Sequence, residues 1–260
     1  MRSQYYYEPP RSGSNWLESL RPLIQPPLAY LVTLAGLILA IWLSVNGNVR
    51  MAQYGPRILI LLIAFPIHEL SHAIVADRLG DSTPRYHGRI TPNPLAQLNL
   101  LGSFLMIFVG LGWAYVPITP SRLRPNARIG HMIVAAAGPI ANLILAMLCA
   151  IIWFGALPAL QTFNNVSLAN DVFRILFQFA WINLALFFLN LVPITPLDGF
   201  FVLKGLLPYN QAYQLESLQR YGFLIFLLVF FVAPFMGLPI LNWLIFGPAG
   251  TVTNLLFLRF

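Results

Sequence analysis

His68-Glu69-Leu70-Ser71-His72 brings three ionisable side chains into five residues of an otherwise apolar stretch. On a helix, residues four apart stand one turn, about 6 Å, from each other on the same face, so both imidazoles can reach one zinc ion. Glu69 points to a neighbouring angle, where it can polarise a water molecule without being a ligand. Between Arg57 and Arg78 the only other charged residue is Asp77, next to Arg78, and His68 lies eleven residues after Arg57 and ten before Arg78. At 1.5 Å per residue that is about 15 Å from either end of a spanning helix, the middle of a bilayer. A carboxylate at that depth is costly unless it is paired or used. Pro66 lacks an amide hydrogen and predicts a bend that frees a backbone carbonyl near the metal, and Gly80 predicts the end of the helix.

Zinc in a catalytic site takes three protein ligands and keeps one position open. The single Cys149 excludes both a thiolate site and an intramolecular disulfide framework, leaving His, Asp or Glu for the third ligand. Asp198 follows Pro193 and Pro196 and precedes Gly199 at the end of an uncharged run. The prolines forbid a regular helix there and the glycine permits close backbone approach, so the segment reads as a broken or re-entrant turn presenting Asp198. Capping its own helix, or pairing with Lys204, is the competing role. His131, at the start of the next long apolar run, is a rival ligand, and His87 in a polar loop is a weaker one. Asp81 fits a local role, as a cap or a partner of Arg85.

Four amides stand out in the apolar runs: Asn99, Asn142, Asn183 and Asn190. In hydrocarbon each must find a partner, so they face protein or a cavity, and helix packing alone would satisfy them. Gly138-Pro139-Ile-Ala-Asn142 combines close approach, a kink and an amide, which suits packing against the helix that carries the histidines. Asn190 precedes the broken segment, where its carboxamide could hold an extended substrate backbone or a developing oxyanion.

The elements that must position these residues are membrane helices. The chain has 260 residues, 58% hydrophobic and 9% charged. A soluble domain carries about 25% charged residues, so a soluble fold would lack the polar surface to cover itself. Runs 22–49, 90–121, 129–170, 175–197 and 221–258 contain no Lys, Arg, Asp or Glu. Each exceeds the roughly 20 residues that cross a bilayer. Helices are expected near 28–47, 97–117, 129–155, 173–191 and 222–240, together with the histidine-bearing one. A partial span is expected at 241–257, and re-entry rather than full crossing is an option for 97–117. Residues 1–27 read as a polar surface arm, and 28–258 as a single transmembrane domain with its core at 57–204. Of the 15 cations 14 are Arg, falling mostly between the apolar runs. That spread suits membrane borders and a lipid bilayer, not nucleic acid. A simple alternating topology sets six cations against seven and so gives no orientation.

Taken together, His68-Glu69-Leu-Ser-His72, the Gly80-Asp81 loop, Gly88-Arg89-Ile-Thr-Pro92-Asn93-Pro94, Gly112-Trp113-Ala-Tyr-Val-Pro117-Ile, Gly138-Pro139 with Asn142, and the stretch from Asn190 to Gly199 resemble the site-2 protease family of intramembrane zinc metalloproteases. The likeness is to its short, prokaryotic-type members without PDZ or CBS domains, and runs from about Arg57 to Lys204. It implies an all-α polytopic membrane bundle of about six helices with a re-entrant or broken segment, in a prokaryotic cell membrane. It further implies one zinc ion per chain held by His68, His72 and Asp198, with Glu69 as catalytic base and Asn142 and Asn190 lining the site. The implied substrates are transmembrane or membrane-adjacent segments of membrane proteins. Departures are small: Thr195 stands where the family often has Pro, and Leu70-Ser71 where Phe-Ala is frequent. A transporter or channel with a His/Asp metal or proton path is the alternative of another class. Residues 81–94 and 190–199 are the expected walls of a water channel, and an extended strand at 85–92 is the expected edge for pairing with an unwound substrate.

Overall fold

A computed structural model describes residues 27–46, 54–108, 115–162 and 166–258. The expected N-terminal arm and Gly112, Trp113 and Ala114 lie outside the described residues. Among the described residues no strand occurs, and five helical stretches are long and apolar enough to cross a bilayer: Leu28–Asn46, Tyr54–Arg78, Ala127–Leu160, Val166–Leu191 and Tyr209–Phe235. The elements in chain order are α1 (Leu28–Asn46), α2 (Tyr54–Leu59), α3 (Phe65–Arg78), α4 (Thr83–Tyr86), α5 (Leu100–Phe108), α6 (Ala127–Thr162), α7 (Val166–Leu191), α8 (Asp198–Leu206), α9 (Tyr209–Leu227), α10 (Ala233–Phe235) and α11 (Gly247–Leu258).

Three wide π-helical turns, Ile60–Ala64, Leu228–Val232 and Asn242–Phe246, join α2 to α3, α9 to α10 and lead into α11. Each ends two residues before a proline, Pro66, Pro234 or Pro248. A proline ring clashes with the carbonyl four residues back and offers it no N–H. Those carbonyls belong to Leu62, Phe230 and Leu244, and each falls inside the wide turn, where the looser backbone makes room for the ring. The helix therefore continues past Pro66 with a local bulge one turn ahead of His68.

The long α6 is the hub. It packs on α3, α7 and α8, and it runs antiparallel to α3: His72 meets Val134 and His68 meets Asn142. Apolar packing away from the histidines unites Leu59, Ile60, Leu61 and Ala64 with Ala146, Cys149, Phe179 and Leu184, all buried. The α7 end farthest from the histidines is held by Phe173 and Phe177 against Phe257 of α11. The partial span expected at 241–257 thus becomes a π turn followed by α11.

Two expectations are corrected. Of the helix expected over 97–117, the described residues show α5 starting only after Asn99, whose side chain caps it at the Gly102 amide (3.0 Å), while Arg57 Nη1 donates to Ile107 O (2.7 Å) and Phe108 O (3.3 Å) and residues 115–117 are not helical. Residues 85–92 are not an extended strand. Pro84 starts the short α4, Gly88 turns at φ +67°, and the loop closes on itself as Gln97 Nε2 donates to Arg89 O (2.5 Å) and Arg89 Nη1 to Ala96 O (2.9 Å).

The charge tally changes with the fold. Buried Asp81 accepts from the Thr83 amide (3.0 Å) and from the Thr119 amide, and Arg124 N donates to Leu79 O (2.9 Å). Arg128 Nη1 donates to Leu207 O, at the end of α8 that also carries Lys204. Arg78, Arg85, Arg122, Arg124, Arg128 and Lys204 accordingly share one end of the bundle. Arg57 and Arg174 occupy the other, where Arg174 Nη2 reaches Val45 O (3.4 Å).

Candidate metal centre

Three backbones meet at the histidines. Pro66 opens α3, and one turn later His68, Glu69 and His72 are buried, with 7%, 6% and 7% exposure. The α6 backbone crosses directly over the two rings at Gly138, where a Cβ would stand 2.6 Å from His68 Nε2 and closer still to His72 Nε2. Only glycine allows that approach. The third backbone is the break after α7: Ile194 N donates to Val192 O (2.8 Å) and Leu197 N to Ile194 O (2.9 Å), so α8 begins at Asp198. Gly199 fits beneath it, as a Cβ would lie against the carbonyls of Leu191 and Val192.

A hydrogen-bonded relay fixes the tautomer of His68. The Phe179 carbonyl can only accept, so Asn183 Nδ2 donates to it (2.8 Å) and leaves Asn183 Oδ1 for Asn142 Nδ2 (3.0 Å). Asn142 Oδ1 then accepts from His68 Nδ1–H (2.6 Å). His72 Nδ1–H donates to Val134 O (2.7 Å). With both protons on Nδ1, each Nε2 presents a lone pair, as a neutral imidazole ligand must.

These lone pairs converge with a carboxylate. His68 Nε2 and His72 Nε2 are 3.0 Å apart, and Asp198 Oδ2 is 3.2 Å from the first and 3.3 Å from the second. With both imidazoles neutral, these three acceptors can together hold one cation. Ligands about 2.0–2.1 Å from a tetrahedral zinc are separated by about 3.3 Å, so the donor set fits zinc in chemistry and in size. Glu69 stands beside the trio, within electrostatic reach of His68, His72 and Asp198.

Residues 56–233 match peptidase family M50. The chain belongs to peptidase family M50, the site-2 protease family of zinc metalloproteases. The Bacillus subtilis (strain 168) protein named "Putative zinc metalloprotease YwhC" is 35% identical over 194 residues, which cover 71% of this chain and 85% of that protein. The Mycolicibacterium smegmatis protein named "Putative zinc metalloprotease Rip2" is 30% identical over 215 residues, 80% of each chain. Its namesake in Mycobacterium tuberculosis (strain H37Rv) is 29% identical over 202 residues, 74% of each. No solved structure matches the chain significantly.

In this M50 peptidase the other candidates fall elsewhere. His131 stacks on Phe201, with ring centroids 4.0 Å apart, and is outside the converging trio. His87 is exposed in the loop after α4. Lys204 pairs with Glu216 (2.9 Å) and not with Asp198, while Arg85 pairs with Asp77 (2.9 Å) and not with Asp81. Asn190 is half-buried in the last turn of α7 and takes no part in the relay to His68. Asn183 does take part, a role that sequence reasoning left as packing. Its signal was an amide at 0% exposure, which hydropathy does not reveal.

Proposed function

We propose that this M50 peptidase hydrolyses peptide bonds in transmembrane or membrane-adjacent segments of membrane-protein substrates, with His68, His72 and Asp198 as zinc ligands and Glu69 as general base. One observation carries the reading: two imidazole lone pairs, each aimed by a bond at its own Nδ1–H, meet one carboxylate oxygen 3.2–3.3 Å away inside a bundle of apolar helices. When bound, zinc supplies Lewis acidity and lowers the pKa of water toward about 7.

The chain's own residues do the rest. Asn142, backed by Asn183, and the Val134 carbonyl hold the rings in place, so no reorientation is needed as charge develops. Glu69 accepts a proton from the attacking water as its oxygen bonds to the scissile carbon, then returns the proton to the amide nitrogen as the C–N bond breaks. A helical substrate has its carbonyls occupied by its own hydrogen bonds, so it unwinds locally before attack. Asn190, beside the 193–196 break, is available to a substrate backbone in that extended form.

The test is reconstitution of wild type and Glu69→Gln in lipid with candidate membrane peptides. Zinc retained in both, with cleavage only by wild type, is the expected result. No cleavage by either, together with equal metal flux through both, would sink the reading in favour of a transporter.

A further inference from the structure

Beyond the metal centre, toward the arginine-rich end, a cavity of about 440 Å³ opens between the start of α6, α8 and α9. That volume is ample for several side chains of an extended peptide. His131 lies one turn before Val134 on α6, and Phe201 one turn after Asp198 on α8, so this stacked pair forms the wall nearest the metal residues. Lys204 and Arg128 bring two positive charges and Glu216 one negative charge, while Tyr213 adds an aromatic face. The mechanism gives none of these residues a task.

We propose that this cavity is a substrate subsite that binds an acidic side chain about three residues from the scissile bond, with Lys204 as its counter-ion. The proposal rests on the protease reading and adds a sequence preference to it. Lys204 is six residues past Asp198 on one helix, about 9 Å along its axis. An extended chain covers that distance in about three residues at 3.3 Å each. Lys204 is held toward the cavity by Glu216, whose own side chain is 52% exposed on α9. An exposed ion pair contributes little. A substrate carboxylate entering a half-buried site therefore displaces Glu216 readily, and Glu216 marks the position that the carboxylate takes. The position beside the metal residues favours a peptide over the other anion that a membrane offers, a phospholipid headgroup.

The test uses a peptide whose cut by wild type has been mapped, made with Asp, Asn or Lys three residues from the cut toward the basic end. Binding is read by fluorescence anisotropy on the full-length Glu69→Gln protein in phosphatidylcholine nanodiscs. The Asp peptide is expected to bind about tenfold tighter than the Asn peptide, as a charge-assisted bond allows. Adding Lys204→Gln should erase that ratio and Lys204→Glu should invert it toward the Lys peptide. Glu216→Gln should tighten the Asp peptide alone. Equal binding of Asp and Asn peptides with Lys204 intact overturns the subsite. In parallel nanodiscs that contain phosphatidylglycerol, loss of that bound lipid on Lys204→Gln without any peptide discrimination also overturns it and makes the cavity a lipid site. Failure of the mapping step, with no peptide cut by wild type, speaks against the protease reading, whereas loss of the binding ratio on the Glu69→Gln protein speaks against the subsite alone.

Discussion

Asn142 Oδ1 accepts the Nδ1 proton of His68 at 2.6 Å, and that bond decides which imidazole nitrogen faces Asp198. The Phe179 carbonyl sets the direction of the chain of amides behind it, so a backbone group on α7 orients a ring on α3 through two side chains. Loss of an orienting partner behind a metal-bound histidine lowers metal affinity about 10–100-fold. Asn142→Ala should show such a drop in a chelator competition for zinc. Asn183→Ala should show a smaller one, because Asn142 keeps its bond to the ring. Equal affinity in Asn142→Ala would mean that the ring is held by packing alone.

Asp198→Ala is expected to lose most of the tightly bound zinc, and His131→Ala to keep it, as measured by metal analysis of the purified proteins. Asp198 Oδ2 is within 3.3 Å of both Nε2 atoms, while His131 lies against Phe201. The reverse pattern would transfer the ligand role to His131.

Gly138→Ala should abolish zinc binding while leaving helix content by circular dichroism unchanged. The added methyl group would stand 2.6 Å from His68 Nε2, and neither helix backbone can retreat from a packed bundle. Gly155→Ala on the same helix has open space around the new methyl and is the matched control. It should bind zinc like wild type and gain slightly in stability, up to about 1 kcal/mol from helix propensity. Equal zinc binding by both variants would contradict the close crossing at Gly138.

Among the described residues, six cations gather at one end of the bundle, with Arg57 and Arg174 at the other, and the positive-inside rule then predicts a cytoplasmic arginine-rich end. His87→Cys, in an exposed loop at that end, should react with a membrane-impermeant maleimide only in inverted vesicles. Ser167→Cys, at the start of α7, should react only in intact cells. Native Cys149 is buried and does not compete. Labelling in the opposite sense would reverse the orientation.

The HExxH spacing, the helix-breaking prolines and the glycines at 138 and 199 were legible along the chain, because each acts through local rules: 3.6 residues per turn, a missing amide hydrogen, a missing Cβ. The length and polarity of the uncharged runs fixed the membrane as solvent for the same reason. The failures were non-local. The apolar run at 97–117 looked helical throughout, but α5 starts only after the Asn99 cap and residues 115–117 are not helical, and no hydropathy profile contains that cap. Lys204 and Arg85 each chose a partner from another element or turn, Glu216 and Asp77, that sequence proximity did not suggest.

What the linear order of residues determined was a set of chemical capacities: two imidazoles one turn apart, a neighbouring carboxylate, and an apolar chain able to satisfy its backbone only as helices. What the tertiary structure decided was direction. The relay from Phe179 to His68, the meeting of Asp198 with both rings across 125 intervening positions from His72, and the gathering of arginines at one end depend on which helices pack together. Packing is a property of surfaces brought together by folding, and hydrogen-bond polarity inside it is set by whichever group at the end of the chain can only accept.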